Sequence, residues 1–209
     1  MRICTVRRYT HEQDGDTKKA ETAVRTDKYP HSDNDWENFD VLHINRLPSA
    51  ATFMAYTTKE KAVKNDKSQS EYFQSLNGTW KFQFVPRSDQ RPMDFFEKGH
   101  DVSGWGNIKV PANWEMEGYG HPFYVGAGYG IKRNPPLIAV ENSPVGSYKR
   151  TFNVPANWKG KQIVLHFGGV ASAFYVWVNG EKVGYSQDSK TPSEFDITPY
   201  AVTGQNEIA

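Results

Sequence analysis

The sequence predicts an all-β protein, an antiparallel sandwich, on three observations. The first is Asn179-Gly180, set between two runs of strand character, Ala173 to Val178 and Lys182 to Ser186. A type I′ hairpin turn needs positive φ at both central residues, and Asn and Gly tolerate it. The second is period-two alternation. Trp80, Phe82 and Phe84 alternate with Lys81 and Gln83, and Tyr148, Arg150 and Phe152 alternate in a later run. The third is the recurrence of turn signals about every ten residues, which argues for antiparallel strands rather than βαβ units.

Composition narrows the class without choosing a function. The 209 residues carry a net charge of +1, so nothing points to nucleic acid or an anionic membrane. No run of eighteen apolar residues suggests a membrane span. The single cysteine, Cys4, excludes an internal disulfide framework, which suits the cytoplasm without excluding an export compartment. Aromatics make up 14% of the chain. That suits a sandwich core and also suits carbohydrate binding; composition alone favours the core.

In chain order, residues 1–34 interleave charges without apolar periodicity and read as a disordered or extended leader. No apolar run follows Arg2, so this is not a secretory signal; the cytoplasm or periplasm is expected. Residues 35–69 read as an extended arm, since Pro48 and mixed polarity argue against a helix. Within it, the charged run from Lys59 to Ser70 reads as a solvated loop with room for one helical turn. The sandwich opens near residue 70. Tyr72 to Val85 contains the turn signal Asn77-Gly78 and a strand with its aromatic side inward. Met93 to Glu97 is expected as a short helix. Ile108 to Val110 is a short strand stopped by Pro111. Tyr148 to Val154 and Lys161 to Phe167 are strands, and His166, among apolar neighbours, reads as a packed core histidine. The first arm of the Asn-Gly hairpin is apolar on both sides: Phe174, Val176 and Val178 against Tyr175 and Trp177. Both of its faces are expected to be covered. Gln187 to Asp196 is a polar loop leading into a short strand, and a last strand opens at Asn206.

The segment Ala112 to Tyr124 carries the candidate site. Sugars present hydroxyl edges and weakly positive C–H faces, so their sites combine planar hydrogen-bonding groups with aromatic faces. Asn113, Glu115, Tyr119, His121 and Tyr124 supply that chemistry. Trp114 and Tyr119 serve equally as structural staples of the loop. Gly126, Gly128 and Gly130 follow, but no strand–turn–helix context supports a phosphate loop. One cysteine and scattered histidines give no zinc spacing, and no serine sits in a strand–elbow–helix motif. Retaining glycoside hydrolysis needs two carboxylates about 5 Å apart. Among Glu115, Glu117, Glu141, Asp188 and Glu194 the sequence offers no defensible pair.

Several of these stretches resemble one family. Val176-Trp-Val-Asn-Gly-Glu-Lys-Val-Gly-Tyr-Ser-Gln-Asp-Ser-Lys-Thr-Pro-Ser-Glu-Phe-Asp-Ile197 is similar to the N-terminal sugar-binding domain of glycoside hydrolase family 2 β-galactosidases. Asp35-Trp-Glu-Asn38, Ile44-Asn-Arg-Leu-Pro48 and Ala51-Thr-Phe-Met-Ala-Tyr56 add to the likeness, as do Val110-Pro-Ala-Asn-Trp114 and Glu141 to Val154. Leu76-Asn-Gly-Thr-Trp-Lys-Phe82 marks family 2 sandwiches generally, glucuronidases and mannosidases included.

The resemblance implies a jelly-roll β-sandwich, galactose-binding-domain-like, over residues 70–209, with the arm lying across it. It implies a non-catalytic domain walling the substrate pocket of a TIM barrel that holds both catalytic glutamates. The expectation is therefore a piece of a retaining β-galactosidase, truncated in its last strand and inactive alone. Its partners would be a β-galactoside and the downstream domains of the same chain, in a homo-oligomeric parent. Gly126, Tyr124, Asn113 and His121 are the implied substrate-binding positions. Gly126 stands where close relatives carry an asparagine that reaches galactose, so a side-chain contact is missing there. A divalent cation such as Mg²⁺ is implied at Asp35, Asn38, the Val41 carbonyl and Gln187, oxygen ligands of the kind hard cations take. Two other readings stand beside this one: a free-standing lectin-like module, and an assembly scaffold that touches no sugar.

Overall fold

The computed structural model describes residues 2–9, 34–122 and 134–209. Its elements are β1 (Arg2–Tyr9), β2 (His43–Ile44), α1 (Lys59–Lys64), β3 (Phe73–Ser75), β4 (Gly78–Val85), β5 (Gly106–Val110), β6 (Val145–Val154), β7 (Gln162–Gly169), β8 (Ala173–Val178), β9 (Glu181–Gln187), β10 (Ser193–Asp196) and β11 (Gly204–Ile208). They form a four-stranded sheet in the order β10-β7-β1-β3 and a seven-stranded sheet in the order β2-β9-β8-β11-β6-β4-β5. The strand pairs are antiparallel, as the turn spacing predicts. No described helix is long and apolar enough to cross a membrane.

The alternation in sequence becomes the core between the sheets. Trp80 and Phe82 of β4 lie 2% and 1% exposed, with Ile108, Phe152, Leu165, Val176, Val178, Phe195 and Ile208 around them. A fully buried apolar side chain contributes about 1.5–3 kcal/mol by leaving water, and the aromatics cover the most area. The Trp80 indole N–H is not left unpaired; it donates to the Leu76 carbonyl at 2.9 Å.

The Asn-Gly hairpin forms as its turn chemistry dictates, with Asn179 at φ +53° and Gly180 at φ +90°. A register shift between Val176 and Trp177 accommodates one extra residue on β9. Tyr175 and Trp177, on the outer side, are covered. Trp177 stacks on Phe96 at 4.9 Å with a 6° interplanar angle, and Trp36 meets Tyr175 edge-on.

Two sequence expectations differ from the structure. Residues 2–9, within the expected leader, form β1 between β7 and β3, and residues 10–33 of that leader lie outside the described residues. The hydrogen bonds of β1 come from strands far along the chain, which local charge patterning does not reveal. Met93–Glu97 is a turn, not a helix: Phe95 and Phe96, adjacent in sequence, both pack on Trp177, and Lys149 takes the Phe95 and Glu97 carbonyls. Successive helical side chains diverge too far for both contacts. Asn77-Gly78, the expected turn, carries the chain from one sheet to the other.

The arm joins the two sheets along one edge. His43 and Ile44 pair with Ser186 and Tyr185 of β9, and Arg46 bridges to Phe195 of β10. Gly184 of β9 permits this approach. A Cβ there would stand 2.5 Å from the Ile44 carbonyl oxygen and 2.6 Å from the Phe195 ring. Later in the arm, α1 is six exposed or half-exposed residues, capped by the Thr58 hydroxyl on the Lys61 N–H.

Candidate functional site

The segment after β5 folds as a loop seated on the aromatic end of the core. Trp114 lies 6.3 Å from Phe82 and 5.5 Å from Phe84, and Tyr119 meets Phe82 edge-on at 4.7 Å. Gly118, at φ +92°, ends the short turn over Trp114–Glu117, and the Tyr119 N–H closes back on the Trp114 carbonyl at 3.0 Å. Trp114 and Tyr119 thus take the staple role. Asn113 and His121, on either side of this seat, are exposed. Glu115 lies close enough to Tyr148 for its charge, after burial, to push the phenol well above its ordinary range. The loop therefore presents an amide and an imidazole from a fixed base. Tyr124 and Gly126 lie outside the described residues.

Three of the four residues named for a cation, Asp35, Val41 and Gln187, gather around a pair of tyrosines. Tyr175 and Tyr185 face each other across β8 and β9 with rings 4.7 Å apart. Tyr175 donates its hydroxyl to Asp35 Oδ2 at 2.7 Å, and the Lys182 ammonium stands 3.4 Å from the same oxygen. Gln187 places Nε2 2.7 Å from the Tyr185 hydroxyl and 3.4 Å from the Val41 carbonyl. Asn38 Oδ1 accepts from the Asp40 N–H and staples its own turn. The oxygens are of the right kind for Mg²⁺ or Ca²⁺. In this arrangement, however, Lys182 already neutralises Asp35, and Gln187 offers a donor to Val41. An ion would need Lys182 displaced and the amide turned over. Among the described residues no group of three or more His, Cys, Asp or Glu side chains forms a metal cluster.

Sequence reasoning did not single out Tyr175, Lys182 and Tyr185 as the partners of the arm. The signal was present, since the turn at Asn179-Gly180 fixes the register that sets the two tyrosines opposite each other. Of the acids weighed, Glu194 lies 2.7 Å from His166 Nδ1, with the imidazole buried as expected, and Asp188 is held by Thr191 and the Lys190 N–H. Those bonds hold the Asp188 carboxyl below its usual range.

Comparison with known proteins places these features in one family. The chain is 42% identical over 196 residues to a β-galactosidase of Priestia megaterium, covering 92% of this chain and 19% of that protein. It is 42% identical over 183 residues to a β-galactosidase of Halalkalibacterium halodurans, covering 85% of this chain and 18% of the relative. The chain thus spans under a fifth of the length of these curated relatives. Among solved structures, a calcium-binding mutant of Bacteroides uniformis β-glucuronidase 2 is 23% identical with a TM-score of 0.46, covering 65% of this chain and 14% of that one. The family described as "Glycosyl hydrolases family 2, sugar binding domain" matches residues 73–209, which hold β3 through β11 and the whole seat of the loop, and the chain belongs to that family.

Proposed function

We propose that this chain is the non-catalytic carbohydrate-binding domain of a β-galactosidase and walls the substrate pocket of a separate catalytic barrel. In this reading residues 35–69 are the arm and residues 70–209 the sugar-binding domain. The observation that carries it is the 42% identity to β-galactosidases across 92% of the chain. The geometry supports it through the loop after β5. Trp114 and Tyr119 are seated on the core, so Asn113 and His121 meet a sugar edge without first ordering the backbone, which lowers the entropic cost of binding. Tyr124 and Gly126 belong to the same proposed wall, with Gly126 contributing only backbone groups. Mg²⁺ at Asp35, Asn38, the Val41 carbonyl and Gln187 enters the proposal only with Lys182 displaced from Asp35. The remaining domains of such an enzyme, and its homo-oligomeric assembly, are the proposed partners.

The division of labour is testable. Glycoside hydrolysis of the retaining type needs a protonated and an ionised carboxylate flanking one bond. The proposal assigns both to the barrel. The purified chain should therefore give no turnover of p-nitrophenyl β-D-galactoside. Turnover that disappears when one of the chain's own carboxylates is changed to its amide would overturn the assignment.

A further inference from the structure

The side of the seven-stranded sheet turned away from the core carries a cleft that the loop after β5 does not use. Trp80 and Phe82 enter the core, so Thr79 and Lys81 stand on the opposite side of β4. The same alternation brings out Asn107 of β5, Lys149 and Thr151 of β6, and Glu207 of β11. Register aligns them: Lys81 lies opposite both Asn107 and Lys149, and Glu207 opposite Thr151. His100 and Val102, from the loop between β4 and β5, complete a cavity of about 290 Å³. Its volume sits at the small end of ligand pockets.

The hydrogen-bond inventory indicates what the cleft takes. Lys149 is 4% exposed, and its ammonium meets the Phe95 carbonyl at 3.1 Å, the Glu97 carbonyl at 2.7 Å and Glu207 Oε2 at 3.3 Å. All three of its N–H groups are spent. Lys81 meets the Trp105 and Ser103 carbonyls at 3.2 and 3.4 Å, which leaves one N–H. Glu207 Oε2 also accepts from the Gly99 N–H at 3.0 Å. These bonds fasten the loop to the sheet and fix the wall. Into the cleft then project the exposed Thr79 and Thr151 hydroxyls, the exposed Asn107 amide, the remaining Lys81 N–H and the second Glu207 oxygen. Arg150, the other fixed cation of the lining, turns to the core-facing side, where its Nη1 donates to the Leu76 and Asn77 carbonyls and its guanidinium lies over the Trp80 ring. A phosphate or sulfate needs several unspent cationic donors aimed into the cleft, and among the lysines Lys81 offers one. A ring of hydroxyls, each both donor and acceptor, matches this mixed set.

We propose that this cleft is a second carbohydrate site, taking one neutral pyranose ring, across the sheet from Asn113 and His121. It does not rest on the β-galactosidase reading. The test is to titrate the ¹⁵N-labelled chain with methyl β-D-galactopyranoside and, separately, methyl β-D-glucopyranoside. At least one sugar should shift the amides of Thr79, Lys81, His100, Asn107 and Thr151. Asn107→Ala and Thr151→Ala, both at exposed positions, should each weaken that binding about fivefold, the effect of one lost hydrogen bond. Asn113→Ala should leave these shifts unchanged. No shift at these amides at saturating sugar overturns the site, whatever the variants do. Shifts confined to residues 112–122 overturn it too, while leaving the proposed function standing. Sulfate shifting these amides where both sugars fail would make it an anion site and also overturn the proposal.

Discussion

Tyr175, in the middle of β8, donates its hydroxyl to Asp35 Oδ2 at 2.7 Å and so ties the arm to the strand on which the Asn-Gly hairpin is built. Lys182 reinforces the tie, with its ammonium 4.5 Å above the Tyr175 ring and 3.4 Å from the same carboxylate oxygen. Hydrogen bonds to charged groups contribute about 1.5–3 kcal/mol, more than neutral ones. Tyr175→Phe keeps the ring contacts and removes this bond. We expect a loss within that range, about 1.5–3 kcal/mol, read from the urea midpoint at unchanged slope. An unchanged midpoint would mean that the arm is held by β2 and Arg46 alone.

The tyrosines also set a response to alkali. Burial, then the hydrogen bond and charge of Asp35, push the Tyr175 phenol up; burial raises Tyr185 against the opposing bond from Gln187. Tyr148 is raised by burial and by Glu115. A folded pKa above the unfolded one means that the fold binds the proton more tightly. The associated stability is whole below about pH 10, the ordinary phenol value, and is lost as pH rises through the raised values. Phenolate absorbance should therefore show a subset of tyrosines ionising late and together with unfolding. A single transition at the ordinary value, with the fold intact, would contradict these environments.

Gly184 offers a sharper steric test. Its missing Cβ leaves room for the Ile44 carbonyl and the Phe195 ring at once, and Phe195 is fully buried. Gly184→Ala forces the arm strand off β9 or the ring out of its place. Overpacking of this kind costs about 1–3 kcal/mol, and backbone on one side of the contact puts the expectation at the upper end. Thermal melting, with amide exchange at Ile44, reads both parts. A variant as stable as the parent, with Ile44 still protected, would refute the close approach.

How much the sequence disclosed follows from how local each signal was. The hairpin at Asn179-Gly180 and the inward face of Trp80 and Phe82 were legible because turn chemistry and period-two alternation act between neighbours. The burial of His166 was legible for the same reason. The strand Arg2–Tyr9 was not, since its partners β7 and β3 come more than sixty residues later. The turn at Met93–Glu97 was hidden because it answers to Trp177 and Lys149 rather than to its own propensity. At the candidate site, the residue types of Asn113 and His121 were readable. The anchoring of their loop by Phe82 and Phe84 appears only once the sheet is assembled. The cleft around Lys81 and Glu207 was invisible for the same reason, since its walls come from four strands and a loop.

The central claim is that this chain serves as the sugar-binding domain of a β-galactosidase. The most direct measurement is to exchange it for the matching region of the Priestia megaterium β-galactosidase and determine kcat/KM of the chimera. The account predicts a folded chimera that hydrolyses an aryl β-galactoside and loses at least about tenfold when Asn113 and His121 are both changed to alanine, the sum of two lost polar contacts to the sugar. A folded chimera that ignores galactosides, or one whose rate is indifferent to both substitutions, would contradict it.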